Sequence, residues 1–339
     1  MNPTGPWRLT DLENIPKNGL KVFSCFHGGG GSTMGYKLAG YDVLGGVEID
    51  PRMMKVYRAN HNPEHSYLMG VKEFCKTPDK DLPRELFNLD ILDGSPPCSS
   101  FSSAGPREKK WGLKHKFREG QADQVLDDLF FDFIAVADKL RPKLVIAENV
   151  KGLIQGNARG YVKQIYHGFI EAGYDCQLFL LDAAFMGVPQ MRKRTFFIAR
   201  RRDLELPKVN LEFNEKPINC RDAADYVAAV DSVLSEDTLD LWHKTIPGKS
   251  FKDVHPRGSR FNDMKVSGSR PCFTIRSSGA LYHWDQPRTL NKHELLRFQT
   301  FPEDYNFCRQ SPLYICGMSV PPYMTQRIAS HLKSLFLSA

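Results

Sequence analysis

Lys21-Val22-Phe23-Ser24-Cys25-Phe26, followed by His27 and Gly28-Gly29-Gly30-Gly31, decides how the rest of the chain is read. The first six residues read as a short strand and Ser32–Ala39 as a helical stretch, so the glycines form a tight turn between strand and helix. Tyr41–Ile49 reads as a second strand. Four glycines in a row are also what a floppy linker looks like. Against that stands Glu48, 20 residues after Gly28 at the end of the second strand, where dinucleotide-type folds hold ribose hydroxyls. A glycine turn lets backbone approach a ligand, and the helix behind it offers N–H groups.

Further along the chain, strands are expected at Leu89–Asp93, Leu144–Ala147, Cys176–Leu181 and Thr195–Ala199, with helices at Val125–Lys139 and Tyr161–Ala172. Such alternation means an α/β fold, doubly wound around a mostly parallel sheet. After Arg202 the pattern becomes irregular, with prolines and glycines to about Pro287, and Asn291–Phe298 is helical again. The expected organisation is a catalytic and cofactor-binding domain over residues 18–202, a smaller irregular domain over 203–314, and a C-terminal helix over 315–339 that returns to the first.

Bulk properties exclude several classes. In 339 residues, hydrophobic content is 41% and charged content 25%, ordinary for a globular protein. No apolar run approaches the roughly 20 residues that span a bilayer. Met1–Gly19 is polar and lacks an apolar signal core, so a cytoplasmic protein with no membrane partner is expected. The eight cysteines form no C-x2-C pair, which speaks against a zinc ribbon and a disulfide framework; no metal is expected. The net charge of +7 permits a polyanionic partner, and its distribution says more. Arg107–Arg118 holds six bases against one acid, Lys244–Arg276 eight against two, and residues 203–240 three against ten. A charge run is most often a solvated face, so these stretches need support from chemistry.

That chemistry starts at Gly94-Ser95-Pro96-Pro97-Cys98. The thiol lies just past a strand's carboxyl end, where open α/β sheets build their sites, and two prolines fix the backbone leading to it. A lone cysteine is more often structural than catalytic. Here Ala147-Glu148-Asn149-Val150, ending another strand, brings a carboxyl to the same edge. A thiol nucleophile beside a proton-sharing acid suits addition to an electron-poor ring.

From about Lys21 to Ala329 the chain resembles the cytosine-C5 DNA methyltransferases. The motifs that carry the resemblance are, in order, Phe26-His27-Gly28-Gly29-Gly30-Gly31, Gly46-Val47-Glu48-Ile49-Asp50, Pro96-Pro97-Cys98, Glu148-Asn149-Val150, Gln190-Met191-Arg192-Lys193-Arg194, the stretch Arg288–Pro302, and Gly317-Met318-Ser319-Val320-Pro321-Pro322. The resemblance implies a class I, Rossmann-like catalytic domain, a target-recognition region in the smaller domain, and S-adenosylmethionine as cofactor. It makes Cys98 the nucleophile on C6 of a flipped cytosine in double-stranded DNA. Glu148 becomes the acid at N3, and Arg194 with Arg192 the residues that steady the base. For the cofactor pocket it implies Phe26, Gly28, Gly30, Gly31, Glu48, Ile49, Pro96, Ser319 and Val320. The basic stretch containing Arg107, Lys109 and Lys110 matches the loop that closes over the flipped base. Lys249 and Lys252 are candidates for phosphate contacts, and Arg257, Arg260 and Arg270 for reading guanine. A restriction-modification setting, association with the nucleoid through DNA, and a monomer are expected.

Ser24 stands where this family usually carries an acid, Val71 where an Asp often serves the adenine amine, and Met318 where an Asn is usual. Ser99 replaces a common Gln, and Leu126 stands where an Arg often precedes the helix. Two alternatives are a tRNA-modifying enzyme on the same scaffold, which Cys272-Phe273-Thr274 faintly favours, and a silent DNA-binding relative without cofactor binding.

Overall fold

Strand order is what turns this sequence into a site. The computed structural model describes residues 5–97, 114–115, 124–125, 128–155, 159–224 and 233–337. The chain divides into two units: the larger is residues 15–181, 193–212 and 328–339, and the other residues 1–14, 182–192 and 213–327.

In the larger unit β1 (Lys21–Cys25), α1 (Gly31–Leu38), β2 (Asp42–Glu48), α2 (Pro51–His61), β3 (His65–Leu68), α3 (Val71–Lys76) and β4 (Ile91–Gly94) follow one another. A two-residue antiparallel pair, β5 (Lys114–His115) with β6 (Gln124–Val125), precedes α4 (Leu129–Leu140), β7 (Leu144–Val150), α5 (Arg159–Glu171), β8 (Tyr174–Asp182) and β9 (Lys193–Arg201). Seven strands form one sheet in the order β3-β2-β1-β4-β7-β9-β8. The pairs β1–β2, β2–β3, β1–β4 and β4–β7 are parallel, and β7–β9 is antiparallel. The order runs one way from β1 through β2 to β3 and the other way through β4, so the crevice for ligands opens at the carboxyl ends of β1 and β4. Parallel strands covered on both faces need apolar runs, and Phe23, Cys25, Val47, Leu92, Val145 and Phe197 are all buried in one core with Phe130 and Phe133 of α4.

The strands and helices expected from the sequence are present with ends shifted by a few residues, and Val125–Lys139 begins its helix only at Leu129. α2, β3 and α3 are elements that the sequence expectations do not include. For α2 the signal was there: Pro51 occupies the first turn, and Asp50 Oδ1 accepts from the Arg52 N–H at 2.8 Å.

The other unit is less irregular than its prolines and glycines imply. It holds α6 (Cys220–Ala223), α7 (Glu236–Lys244), β10 (Lys249–Ser250), β11 (Met264–Lys265), β12 (Leu281–Tyr282), α8 (Lys292–Gln299) and α9 (Pro312–Met318); α10 (Pro322–Leu337) starts in this unit and ends in the larger one. β10, β11 and β12 form a small sheet, and Phe251 stacks on Tyr282 beside Leu241 and Trp242. A capping box, Asn291 with Glu294, starts α8, and the Glu294 carboxylate also takes a bidentate pair from buried Arg288 at 2.7 and 2.8 Å.

Candidate active site

At the carboxyl end of β1 the chain turns through left-handed backbone at Phe26 (φ 56°), Gly28 (φ 51°) and Gly30 (φ 84°). Gly30 has no alternative, because a Cβ there would lie 2.2 Å from His61 Nε2. Phe26 adopts the same region with a side chain, a strained choice that its N–H bond to the Val47 carbonyl, 2.9 Å, helps to hold. Glu48 fastens the turn from the end of β2. Its Oε2 accepts from the Gly28 N–H and its Oε1 from the Asp50 N–H, both at 2.9 Å. Burial pushes the Glu48 carboxyl up, and those backbone donors pull it back. Each carboxylate oxygen has a second lone pair, so Glu48 can still accept from a ligand hydroxyl. The first turn of α1, beginning at Gly31, leaves N–H groups that no helical carbonyl takes. This donor and acceptor set fits a nucleoside with a free ribose diol and an anionic end.

Ile49 continues from Glu48, with its Cδ1 3.8 Å from where a Cβ on Gly70 would stand. Val71 opens α3 as a buried apolar residue. Pro96 is fixed through its carbonyl, which accepts from Asn149 Nδ2 at 3.0 Å. Ser319 and Val320 belong to the other unit, where the Ser319 hydroxyl donates to the Ile315 carbonyl at 2.8 Å. Ser24 is fully buried and donates to Asp93 Oδ2 at 3.0 Å, so an acid does stand at this point of the sheet, on the neighbouring strand.

Glu148 and Arg194 meet because β7 and β9 run antiparallel, with Val150 opposite Arg194 and Glu148 opposite Phe196. Arg194 Nε lies 2.8 Å from Glu148 Oε1, and the side chains are 13% and 12% exposed. Burial lowers the Arg194 guanidinium's hold on its proton while Glu148 restores it. Arg192 goes elsewhere. It is almost wholly buried in the other unit, donating to the carbonyls of Ile275 at 3.0 Å and Gly317 at 2.9 Å. The Gln190–Arg194 motif thus divides between the units after Arg192. Cys98, Arg107, Lys109 and Lys110 lie outside the described residues.

The remaining basic candidates all belong to the smaller-sheet unit. Lys249, Lys252, Arg257 and Arg270 are exposed. Arg260 is partly engaged, donating to Thr238 Oγ1 at 3.0 Å with Asp263 at 3.9 Å.

With this geometry in place, comparison with known proteins decides the family. The model of the C-5 cytosine-specific DNA methylases matches residues 20–249 and 236–334. The chain belongs to that family. It is similar to the type II methyltransferase M.NgoPII of Neisseria gonorrhoeae, 26% identical over 93% of this chain and 96% of the relative. It is also similar to M1.HphI of Haemophilus parahaemolyticus, 28% identical over 91% and 86%. Among solved structures, one described as a DNA modification methyltransferase encoded within an E. coli prophage shares the fold, with TM-score 0.73 and 21% identity over 94% of this chain and 99% of that one.

Three residues of the methylase escaped the sequence reading as site candidates. Asn149 ties the end of β7 to the segment that enters Cys98, and its Oδ1 accepts from the Val150 N–H at 2.8 Å. The signal was its place directly after Glu148. Asp93 gathers three hydroxyls below the glycine turn, with only its polarity inside an apolar strand to announce it. Phe261 is 54% exposed and has two cations near its ring, Lys252 Nζ at 5.4 Å and Arg276 Cζ at 5.7 Å from its centroid. Its place next to Arg260 in the basic stretch was its only mark.

Proposed function

We propose that the methylase transfers a methyl group from S-adenosylmethionine to C5 of a cytosine flipped out of a specific duplex sequence, through a covalent adduct at Cys98. The observation that carries this reading is the Glu148–Arg194 pair at the carboxyl end of β7, beside β4, whose own end runs through Pro96 and Pro97 towards Cys98. A base inside a duplex hides C6, so extrusion comes first. The Cys98 thiolate then bonds to C6, and Glu148, oriented by Arg194, shares a proton with N3 so that the ring can accept the electron pair. Density moves to C5. S-adenosylmethionine, when bound, supplies the methyl group that C5 takes up. Loss of the C5 proton and expulsion of Cys98 restore the ring and the thiol. Phe26, Gly28, Gly30, Gly31, Glu48, Ile49, Pro96, Ser319 and Val320 are the residues assigned to the cofactor. Arg192 holds the carbonyls of Ile275 and Gly317 within its own unit.

Transfer of tritium from labelled S-adenosylmethionine to duplex DNA and to tRNA, assayed side by side, tests the reaction. Label in DNA alone is expected; label in tRNA alone favours the RNA enzyme, and label in neither the silent relative. In the same assay Glu48→Ala should raise the cofactor concentration for half-maximal rate by roughly tenfold, the worth of a hydrogen bond to a charged group, with the saturated rate kept. An unchanged requirement would remove Glu48 from the pocket.

Residues 203–314 are the target-recognition domain, and the enzyme acts as a monomer on nucleoid DNA in the cytoplasm. Lys249 and Lys252 contact phosphate, so neutralising each should weaken all duplexes alike and flatten log–log salt dependence by roughly 0.9 per contact. Phe261, exposed beside Lys252 and Arg276, offers apolar surface for stacking or sugar contact beside those phosphates. Arg257 and Arg270 are freer to pair with guanine O6 and N7 than Arg260, which is already engaged. Ala at each, scored on a duplex library, should relax one base-pair preference in at least one variant, a discrimination of about 1–3 kcal/mol. If all three keep the wild-type preference, reading lies elsewhere, in residues 203–243.

A further inference from the structure

Asp93 is a buried carboxylate that the reaction above does not use. It sits on β4 in register with Ser24 of β1. Its Oδ2 accepts from Ser24 Oγ at 3.0 Å and from Ser32 Oγ at 2.8 Å, and its Oδ1 from Tyr36 OH at 3.0 Å. Ser24 precedes the glycine turn, while Ser32 and Tyr36 lie one helical turn apart on α1 behind it. One carboxylate therefore grips both sides of the turn. It does so from the strand whose extension leads to Pro96, Pro97 and Cys98.

We propose that Asp93 is the positioning residue that sets the shape of the glycine-rich turn and so the affinity for S-adenosylmethionine. The inference rests on the assignment of that turn to the cofactor.

Stability alone gives no reason for a charge here. Burial pushes the Asp93 carboxyl up from 3.8 to about 6, the three hydroxyls pull it down, and Glu148 on β7 pushes it up. The other titratable groups facing it are Tyr36 on α1, Cys25 on β1 and Tyr57 on α2, all raised by burial and neutral through the range of interest. An acid whose folded pKa exceeds its ordinary value takes up a proton more readily in the folded chain. Its ionisation therefore costs stability as pH rises from about 4 through about 6. Function is the compensating reason. An ionised carboxylate can accept from all three hydroxyls at once, whereas an amide nitrogen or a protonated oxygen in one of those places donates, and the hydroxyl it meets must redirect its own proton and accept instead.

Calorimetric titration of the full chain with S-adenosylmethionine, at pH 7.5 and pH 5.5, tests this. Asp93→Asn should weaken binding at pH 7.5 by roughly tenfold, the size of one lost hydrogen bond to a charged group, with the melting temperature unchanged or raised. Wild-type affinity should fall at pH 5.5. Glu48 is also raised by burial and contributes to that fall, so the part due to Asp93 is what disappears in Asp93→Asn. Because Ser24 and Asp93 are in register, the exchange Ser24→Asp with Asp93→Ser should recover most of the affinity that Asp93→Ser alone loses. Tyr36→Phe, a milder change, should weaken binding a few-fold and covers the case in which Asp93→Asn does not fold. Wild-type affinity in Asp93→Asn at both pH values, or in Tyr36→Phe, overturns the proposal. A wild type that binds no S-adenosylmethionine overturns the cofactor assignment, and this inference with it.

Discussion

Cys98→Ala is expected to lose methyl transfer by about 10⁴-fold or more, the scale seen when a covalent nucleophile is removed, while duplex binding stays close to wild type. The split follows from timing. The thiol forms its bond only after the duplex is bound and the base extruded, so its loss spares every contact made before that step. Single-turnover transfer and gel-shift affinity, measured on one preparation, separate the two. The same assignment requires wild type to remain bonded, through denaturation, to DNA carrying 5-fluorocytosine at the target, because fluorine at C5 cannot leave as a proton does. Appreciable turnover by Cys98→Ala would remove the nucleophile from its role; absence of the adduct would remove the covalent route.

Glu148→Gln should cut turnover by about 10²–10⁴-fold, the range of a general acid, and leave calorimetric affinity for S-adenosylmethionine unchanged. An amide keeps the shape of the side chain and cannot share the N3 proton. Arg194→Ala acts on rate and on fold together. It strands a carboxylate only 12% exposed, and breaking such a pair from one side costs up to about 3–5 kcal/mol, less where water still reaches it. Denaturant unfolding of both single variants and the double variant measures their coupling. A coupling near zero would mean that Arg194 does not hold Glu148, and its effect on rate would need another cause. Equal turnover in Glu148→Gln and wild type would exclude the acid itself.

Much of the larger unit was legible because its signals are local. A strand such as Lys21–Cys25 announces itself by apolar residues, the turn by its glycines, and the helix behind it by a proline-free run that carries Met34, Tyr36 and Leu38. The start of α2 is equally local, marked by Asp50 and Pro51, but its body, Arg52–His61, mixes charged and apolar residues and gives no comparable signal. The smaller-sheet unit was harder. Its strands are two residues long, too short for period-two alternation to rise above the loops around them, and Trp242, Phe251 and Tyr282 gather from segments far apart in the chain.

Local sequence was enough for the order of the motifs, the strand–glycine turn–helix at residues 21–38, and the acid at the end of each strand that bears one, since each depends on neighbours along the chain. Which of those groups meet was left to the tertiary fold. Arg192 and Arg194 are two residues apart, and the alternation of a strand would put them on one face. Yet β9 begins at Lys193, so Arg194 follows the antiparallel register to Glu148 while Arg192 is spent on the carbonyls of Ile275 and Gly317. Ser24 reads as a missing acid until strand order sets Asp93 beside it, because a parallel neighbour 69 residues away is invisible to local pattern.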